Sequence, residues 1–273
     1  MKILISGNLG YIGPVLTKHL KHTIPSSEIT GLDTGYFASR INGIGRIGDT
    51  YCKDQIYQDI RDVSVEFLKK FDAVIILSAI SNDPMGNKFE DVTNQINYLA
   101  VKKIIEPYLK MKNKRLVFAS SCSMYGASEG EAKKENDTLN PLTAYSKSKV
   151  AVEKALQKCE LGLGTTATSL RFATACGMSD RLRLDLVLND FVASAIIRKR
   201  IEVLSDGTPW RPLIHVKDMA RAIEWGILRN TKIVKPYLAV NVGSNSWNYK
   251  VSDLAKAVVE TVPDCQLSFN EKA

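Results

Sequence analysis

Short, continuously apolar runs alternate with segments of helical periodicity along most of this chain. Strand-like runs fall at 2–6, 28–32, 55–58, 73–79, 115–120 and 165–172. Positions 73–77 carry no polar residue, as expected of a strand covered on both faces. Between these runs, Ile12, Val15, Leu16 and Leu20 form one helical stripe, and Val92, Ile96 and Leu99 form another. Repeated strand–helix–strand units predict a parallel sheet with right-handed crossovers. The predicted fold is α/β, a doubly wound, Rossmann-like sheet over residues 1–175.

The rhythm changes beyond Gly177. The pattern predicts a helix at 184–198, a short strand at 201–204, a turn through "SDGTPW" and another short strand at 213–216. Asp218 is placed to cap a helix at 219–228, and a strand at 238–242 and a helix at 251–262 follow. With no linker in the string, residues 176–273 are expected to form a smaller substrate lobe interleaved with the sheet.

Composition narrows the class. Five cysteines in no C-x-x-C spacing argue against a disulfide framework or a zinc site and fit a reducing cytoplasm. Three histidines make a His-rich metal site a poor reading. The apolar run "KILISG" starts directly after Met1, so no leader is expected, and the longest apolar stretch is too short to span a bilayer. A net charge of +8 fits nucleic acid, a membrane surface or a small anionic substrate. The basic clusters "KMKNKR" and "IRKR" sit where helices give way to strands, which predicts solvated surface, with neither nucleic acid nor membrane as partner.

Candidate chemistry begins at the first strand, which runs into "GNLGYIG". Gly7, Gly10 and Gly13, with Tyr11 and Ile12 between the last two, form a turn that lets backbone N–H groups approach a pyrophosphate at a helix N-terminus. Pro14 is tolerated in that first turn. Asp33 ends the second strand, where a carboxylate accepts both ribose hydroxyls and repels a 2′-phosphate. The nearest following arginine is Arg40, so NAD is favoured over NADP. Further on, "FASSCSMYG" carries Ser121 and "TAYSKSK" carries Tyr145 and Lys149. Four residues apart, Tyr145 and Lys149 share one helix face, and an ammonium beside a phenol favours the phenolate. A tyrosine so placed exchanges a proton with a sugar or alcohol hydroxyl while hydride moves to or from the cofactor.

The ordered set "GNLGYIG", "GLD", "QDIRD", "VIILSAI", Asn97, "FASSCSMYG", "AYSKSK", "LRFATACG" and "WRPLIHVKD" resembles the extended short-chain dehydrogenase/reductase family, the nucleotide-sugar epimerases and dehydratases. The resemblance covers nearly the whole chain. It implies that Asp59 and Ile60 contact the adenine, that Leu77, Ser78 and Ala79 line the dinucleotide, and that Asn97 lies near the nicotinamide half. It implies that Ser121 hydrogen-bonds the reacting oxygen, Tyr145 is the acid/base, and Lys149 holds the ribose and lowers the tyrosine pKa. It assigns Arg211 and Asn189 to the substrate diphosphate, with Ser81 and Ser123 as further substrate contacts. A homodimer is implied, through helices containing residues 92–109 and 145–158. So are further segments, past the position of Ala273, that help close the sugar pocket.

The resemblance also bears on the reaction. Dehydratases of the family place acidic residues after the Ser/Thr, and fucose-type epimerase-reductases place a cysteine where this chain has Ser123. Cys122 and Ser123 offer no carboxylate, which argues against dehydration and 3,5-epimerisation. The expectation is an NAD-dependent 4-epimerase of a nucleotide-diphosphate sugar. A one-way nucleotide-sugar dehydrogenase or ketoreductase, and a catalytically silent dinucleotide-binding protein, stand as alternatives.

Overall fold

The computed structural model describes residues 1–38, 51–127, 132–230 and 235–270; Arg40 and Ala273 fall outside them. The first half runs β1 (Lys2–Ser6), α1 (Gly13–Thr23), β2 (Glu28–Asp33), β3 (Asp54–Tyr57), α2 (Val65–Leu68) and β4 (Ala73–Ile76). Next come α3 (Asp83–Lys88) and α4 (Glu90–Asn94), which passes through a π-helical turn (Gln95–Ala100) into α5 (Val101–Leu109). Then follow β5 (Arg115–Ser121), α6 (Ala144–Lys158), β6 (Thr166–Phe172) and β7 (Thr174–Cys176). The remainder is α7 (Val187–Arg198), β8 (Arg200–Val203), β9 (Trp210–His215), α8 (Val216–Leu228), β10 (Tyr237–Val242), β11 (Asn248–Lys250), α9 (Val251–Thr261) and β12 (Gln266–Phe269).

Seven strands form a wholly parallel sheet in the order β10-β6-β5-β4-β1-β2-β3. Alternate side chains explain why both faces are dry. Leu4, Val74, Ile76, Leu116 and Phe118 join Ile104, Ile105 and Tyr108 of α5 and Val152 and Leu156 of α6. Ile3, Ile5, Ile75, Val117 and Ala119 point the other way, onto Leu16 and Leu20 of α1 and Met219, Ile223 and Ile227 of α8. Chain order reverses beside β1, which lies between β2 and β4, so the crevice outside its carboxyl end is the place for a ligand.

Residues after Gly177 supply β10 and α8 to this framework and build a separate small core from α7, α9, β8, β9 and β12, centred on Phe191, Ile201, Leu213, Leu254 and Val258. Two further small sheets, β11-β9-β7 and β12-β8, complete that region.

Several local expectations change. The fourth strand ends at Ile76, leaving Leu77–Ala79 as a loop beyond the sheet. His215, not Asp218, caps α8: its Nδ1 accepts from the Lys217 N–H at 3.1 Å, and Asp218 pairs with Arg221 instead. Of the stripe Val92–Ile96–Leu99, Val92 and Leu99 are exposed and only the half-buried Ile96 packs against the core, while Thr93, Asn97 and Ala100 turn inward. Both sets have helical spacing, so periodicity alone does not say which one meets the core.

Candidate active site

The glycine-rich turn is built as its sequence requires. Gly7 has φ of +80°, and a Cβ there would lie 2.6 Å from the Ser78 nitrogen. A Cβ on Gly13 would collide with the Asn8 backbone. These contacts leave a bare backbone turn at the start of α1, where a helix N-terminus favours an anion. Asp33 closes the neighbouring strand: its Oδ2 accepts from the Leu9 N–H at 3.2 Å and its Oδ1 from the Gly35 N–H at 2.9 Å. Burial pushes its pKa up against those amide bonds, and no lysine or arginine pairs with it among the described residues. A carboxylate held by amides at this place fits the ribose of an unphosphorylated dinucleotide. The residues present therefore fit NAD: Gly7, Gly10, Tyr11, Ile12 and Gly13 could hold its pyrophosphate and Asp33 its ribose, beside Leu77, Ser78 and Ala79.

The Asp59 carboxylate is held by Arg61, at 2.8 Å from its guanidinium, and Ile60 is buried in the sheet core.

Ser121 is the last residue of β5 and caps the turn Cys122–Tyr125, accepting from the Ser123 N–H at 3.2 Å. Thr143 opens α6 through a reciprocal cap with Ser146, which puts Tyr145 in the first turn and Lys149 one turn later. The Lys149 amine is 2 % exposed and donates to the Ala119 carbonyl at 2.7 Å, 5.2 Å from the centre of the Tyr145 ring. Sequence spacing thus brings Ser121, Tyr145 and Lys149 together.

Burial pushes the Tyr145 phenol up to about 12, and a hydrogen bond with Ser121 and the Arg183 charge pull it back. Lys149 is itself pulled down to about 7 by burial, against the opposing charge of Glu153. Cys122 is pushed up to about 11 by burial, which keeps it a protonated packing thiol.

Asn97 and Asn189 act through other residues. The Asn97 amide accepts from the Ile80 N–H at 2.8 Å and donates to the Ile80 carbonyl at 2.9 Å and the Ser148 hydroxyl at 3.2 Å. Ser148 in turn donates to the Tyr145 carbonyl at 2.6 Å. Asn189 accepts from the Gly177 N–H and donates to the Tyr11 hydroxyl and the Arg183 carbonyl. With both amide hydrogens engaged, neither side chain has a donor left for a ligand. Arg211 is exposed on β9, within electrostatic reach of Cys122, and so stands at the mouth beside the Ser121 turn. The Ser123 hydroxyl is buried without a partner among the described residues.

Sequence reasoning missed Arg183. It donates to the Ser81 hydroxyl at 2.8 Å, grips Asp185 through two bonds of 3.0 and 2.6 Å, and acts on Tyr145 through space. The pairing pulls Asp185 down to about 2. Its segment has no periodicity, so nothing in the string marks it. Glu153 and Arg171, buried behind Lys149, were also missed, although Glu153 lies four residues beyond that lysine.

A sequence model of the NAD dependent epimerase/dehydratase family matches residues 3–243. The chain belongs to that family. Among relatives, it is 26% identical over 260 residues to an uncharacterised UDP-glucose epimerase, YtcB, of Bacillus subtilis, covering 89% of this chain and 77% of the relative. A solved UDP-N-acetylglucosamine 4-epimerase of Methanobrevibacter ruminantium, in complex with UDP-N-acetylmuramic acid, superposes with a TM-score of 0.85 at 20% identity, over 100% of this chain and 86% of that one. The NDP-hexosamine 5,6-dehydratase TunA superposes with a TM-score of 0.81 at 20% identity, over 99% and 84%. This family member therefore has the fold of both epimerases and dehydratases. No described helix is long and apolar enough to cross a membrane.

Proposed function

We propose that this protein is an NAD-dependent nucleotide-sugar 4-epimerase, acting by transient oxidation at C4 and return of hydride to the opposite face. The observation that carries the reading is the hydrogen-bonded Ser121–Tyr145 pair at the carboxyl end of β5, with no carboxylate in the Ser121–Ser123 turn. Elimination of water needs a group that removes a proton from carbon. The nearby Asp185 is held by Arg183, and Asp83 acts only weakly on Tyr145.

Tyr145, as phenolate, accepts the proton of the C4 hydroxyl when that carbon is oxidised and returns it to the C4 oxygen when the carbon is reduced, so the proton balances over the cycle. Ser121, bonded to Tyr145, orients that same oxygen. Ser81 and Ser123 line the sugar side, and Arg211 faces the diphosphate, where a guanidinium makes paired contacts. Bound NAD supplies the hydride acceptor and donor.

We read the enzyme as a cytoplasmic homodimer. The exposed Val92 and Leu99 support a partner on that face, beside a groove of about 630 Å³ between α5 and α6. Five free thiols fit a reducing compartment.

The test is to incubate the protein with UDP-glucose, UDP-galactose and their N-acetyl counterparts and NAD, following the sugars by NMR and the reduced-nicotinamide absorbance together. Interconversion at C4 without net absorbance change is expected. Stoichiometric accumulation of NADH assigns a one-way dehydrogenase instead, and a 4-keto-deoxy sugar assigns a dehydratase.

A further inference from the structure

We propose that Glu153 is a positioning residue of the active site: it is the counter-charge of the buried Lys149 ammonium and the anchor of the strand end that carries Ser121. The inference deepens the reading above and rests on Lys149 as a member of the reacting set.

Lys149, Glu153 and Arg171 are 2 %, 3 % and 5 % exposed, so three ionisable side chains share one dry volume behind the site. Buried charges are retained only where they are paired and hydrogen-bonded. Arg171 clamps the Glu153 carboxylate, with Nε at 3.1 Å from both oxygens and a terminal nitrogen at 2.7 Å. The Ser120 hydroxyl donates to Glu153 Oε1 at 2.6 Å. These bonds fix the carboxylate one helical turn beyond Lys149, on the same face of α6.

Other groups around the cluster carry no free negative charge. Tyr145 faces Lys149 from α6, and Phe118 and the Ala119 carbonyl face it from β5. Tyr125 takes a bond from Arg171 at 2.8 Å, and Tyr237 of β10 pairs with Ser169. Glu135 offers Arg171 its main-chain carbonyl and directs its carboxylate to the Asn241 N–H. Glu153 is thus the carboxylate that acts on Lys149 among the described residues.

The same contacts hold the backbone. Lys149 binds the Ala119 carbonyl and Glu153 binds the Ser120 side chain, so two residues of α6 grip consecutive positions immediately before Ser121. A change at position 153 therefore reaches both the lysine charge and the placement of the serine.

The test reads Lys149 directly. In protein carrying labelled lysine, NMR follows the ε-methylene signals against pH, and the Lys149 signal is identified by its loss in Lys149→Met. In Glu153→Gln the Lys149 midpoint should fall by at least ~1 pH unit, as removal of a close opposite charge requires. Because that variant leaves Arg171 unpaired, Glu153→Gln/Arg171→Met removes both members of the ion pair together and keeps the interior balanced. Arg171 takes a positive charge with it, so the fall in the double variant is read against Arg171→Met alone, in which Glu153 keeps its charge. A folded Glu153→Gln protein at the parental midpoint, or a folded double variant at the midpoint of Arg171→Met, would overturn the proposal. The titration needs neither sugar nor dinucleotide, so failure to find an epimerase substrate leaves this outcome readable.

Discussion

The Lys149 amine reaches past the Tyr145 ring to the carbonyl of Ala119, 2.7 Å away, so the lysine holds the strand end before it touches the phenol. Tyr145 then carries the proton with Ser121 as its bonded partner. Tyr145→Phe removes one hydroxyl while keeping the ring against Lys149. Turnover should fall by about 10²–10⁴-fold, the range of a lost general acid/base. NAD affinity, measured by calorimetry, should stay within a few-fold of the parent. Parental turnover in the variant would remove Tyr145 from the mechanism.

Lys149 also makes stability depend on pH in a defined direction. In the unfolded chain its amine keeps its proton to about 10.5; in the folded protein it gives the proton up above about 7. Between those values the unfolded state binds more protons, so this group makes folding more favourable as pH rises. The full span corresponds to a cost on the order of 5 kcal/mol below pH 7. Urea midpoints at pH 7, 8 and 9 should rise relative to those of Lys149→Met, and parallel curves for the two proteins would contradict this. Above pH 10 the sign reverses, because Tyr11, Tyr145 and Tyr237 are pushed up to about 12 by burial and favour the folded state only while protonated.

Gly13→Ala should abolish dinucleotide binding more completely than it lowers stability. Its added methyl meets the Asn8 backbone, so the turn itself must move. Retained NAD affinity in a folded Gly13→Ala protein would show that the cradle is not the pyrophosphate site.

Asn189→Leu tests the link between the two halves. It strips the Gly177 N–H and the Arg183 carbonyl of their partner, and each buried group left unpaired costs roughly 1–3 kcal/mol. The melting temperature should drop and sugar-nucleotide KM should rise, through loss of the Arg183 segment. Wild-type melting with a weakened diphosphate contact alone would return Asn189 to the direct-ligand role that the sequence implies.

Much of the framework was legible because a parallel sheet buried on both faces writes itself as apolar runs such as Ala73–Ile76. Ser121, Tyr145 and Lys149 were legible for a related reason: a strand end and one helix face fix where their side chains go. The bonds of Asn189 to Gly177, Tyr11 and Arg183 were not legible because a helical amide gives no sign of whether it faces a ligand or the chain. Arg183 was invisible because its partner Ser81 lies far away in the chain and meets it only on folding. Burial of the Tyr145 phenol, which pushes its pKa up, is another property that a string does not display.

The Tyr11 hydroxyl donates to the Gly177 carbonyl at 2.6 Å, while Ser179 returns a bond of 2.6 Å to the Tyr11 carbonyl. One aromatic side chain thus rivets the first crossover to the point where the later segment leaves the sheet. Chimaeras that graft a foreign sugar-recognition segment onto this scaffold would have to transplant the matching tyrosine, serine and asparagine as a single cassette. Redesign of selectivity here is bound to the architecture of the nucleotide cradle.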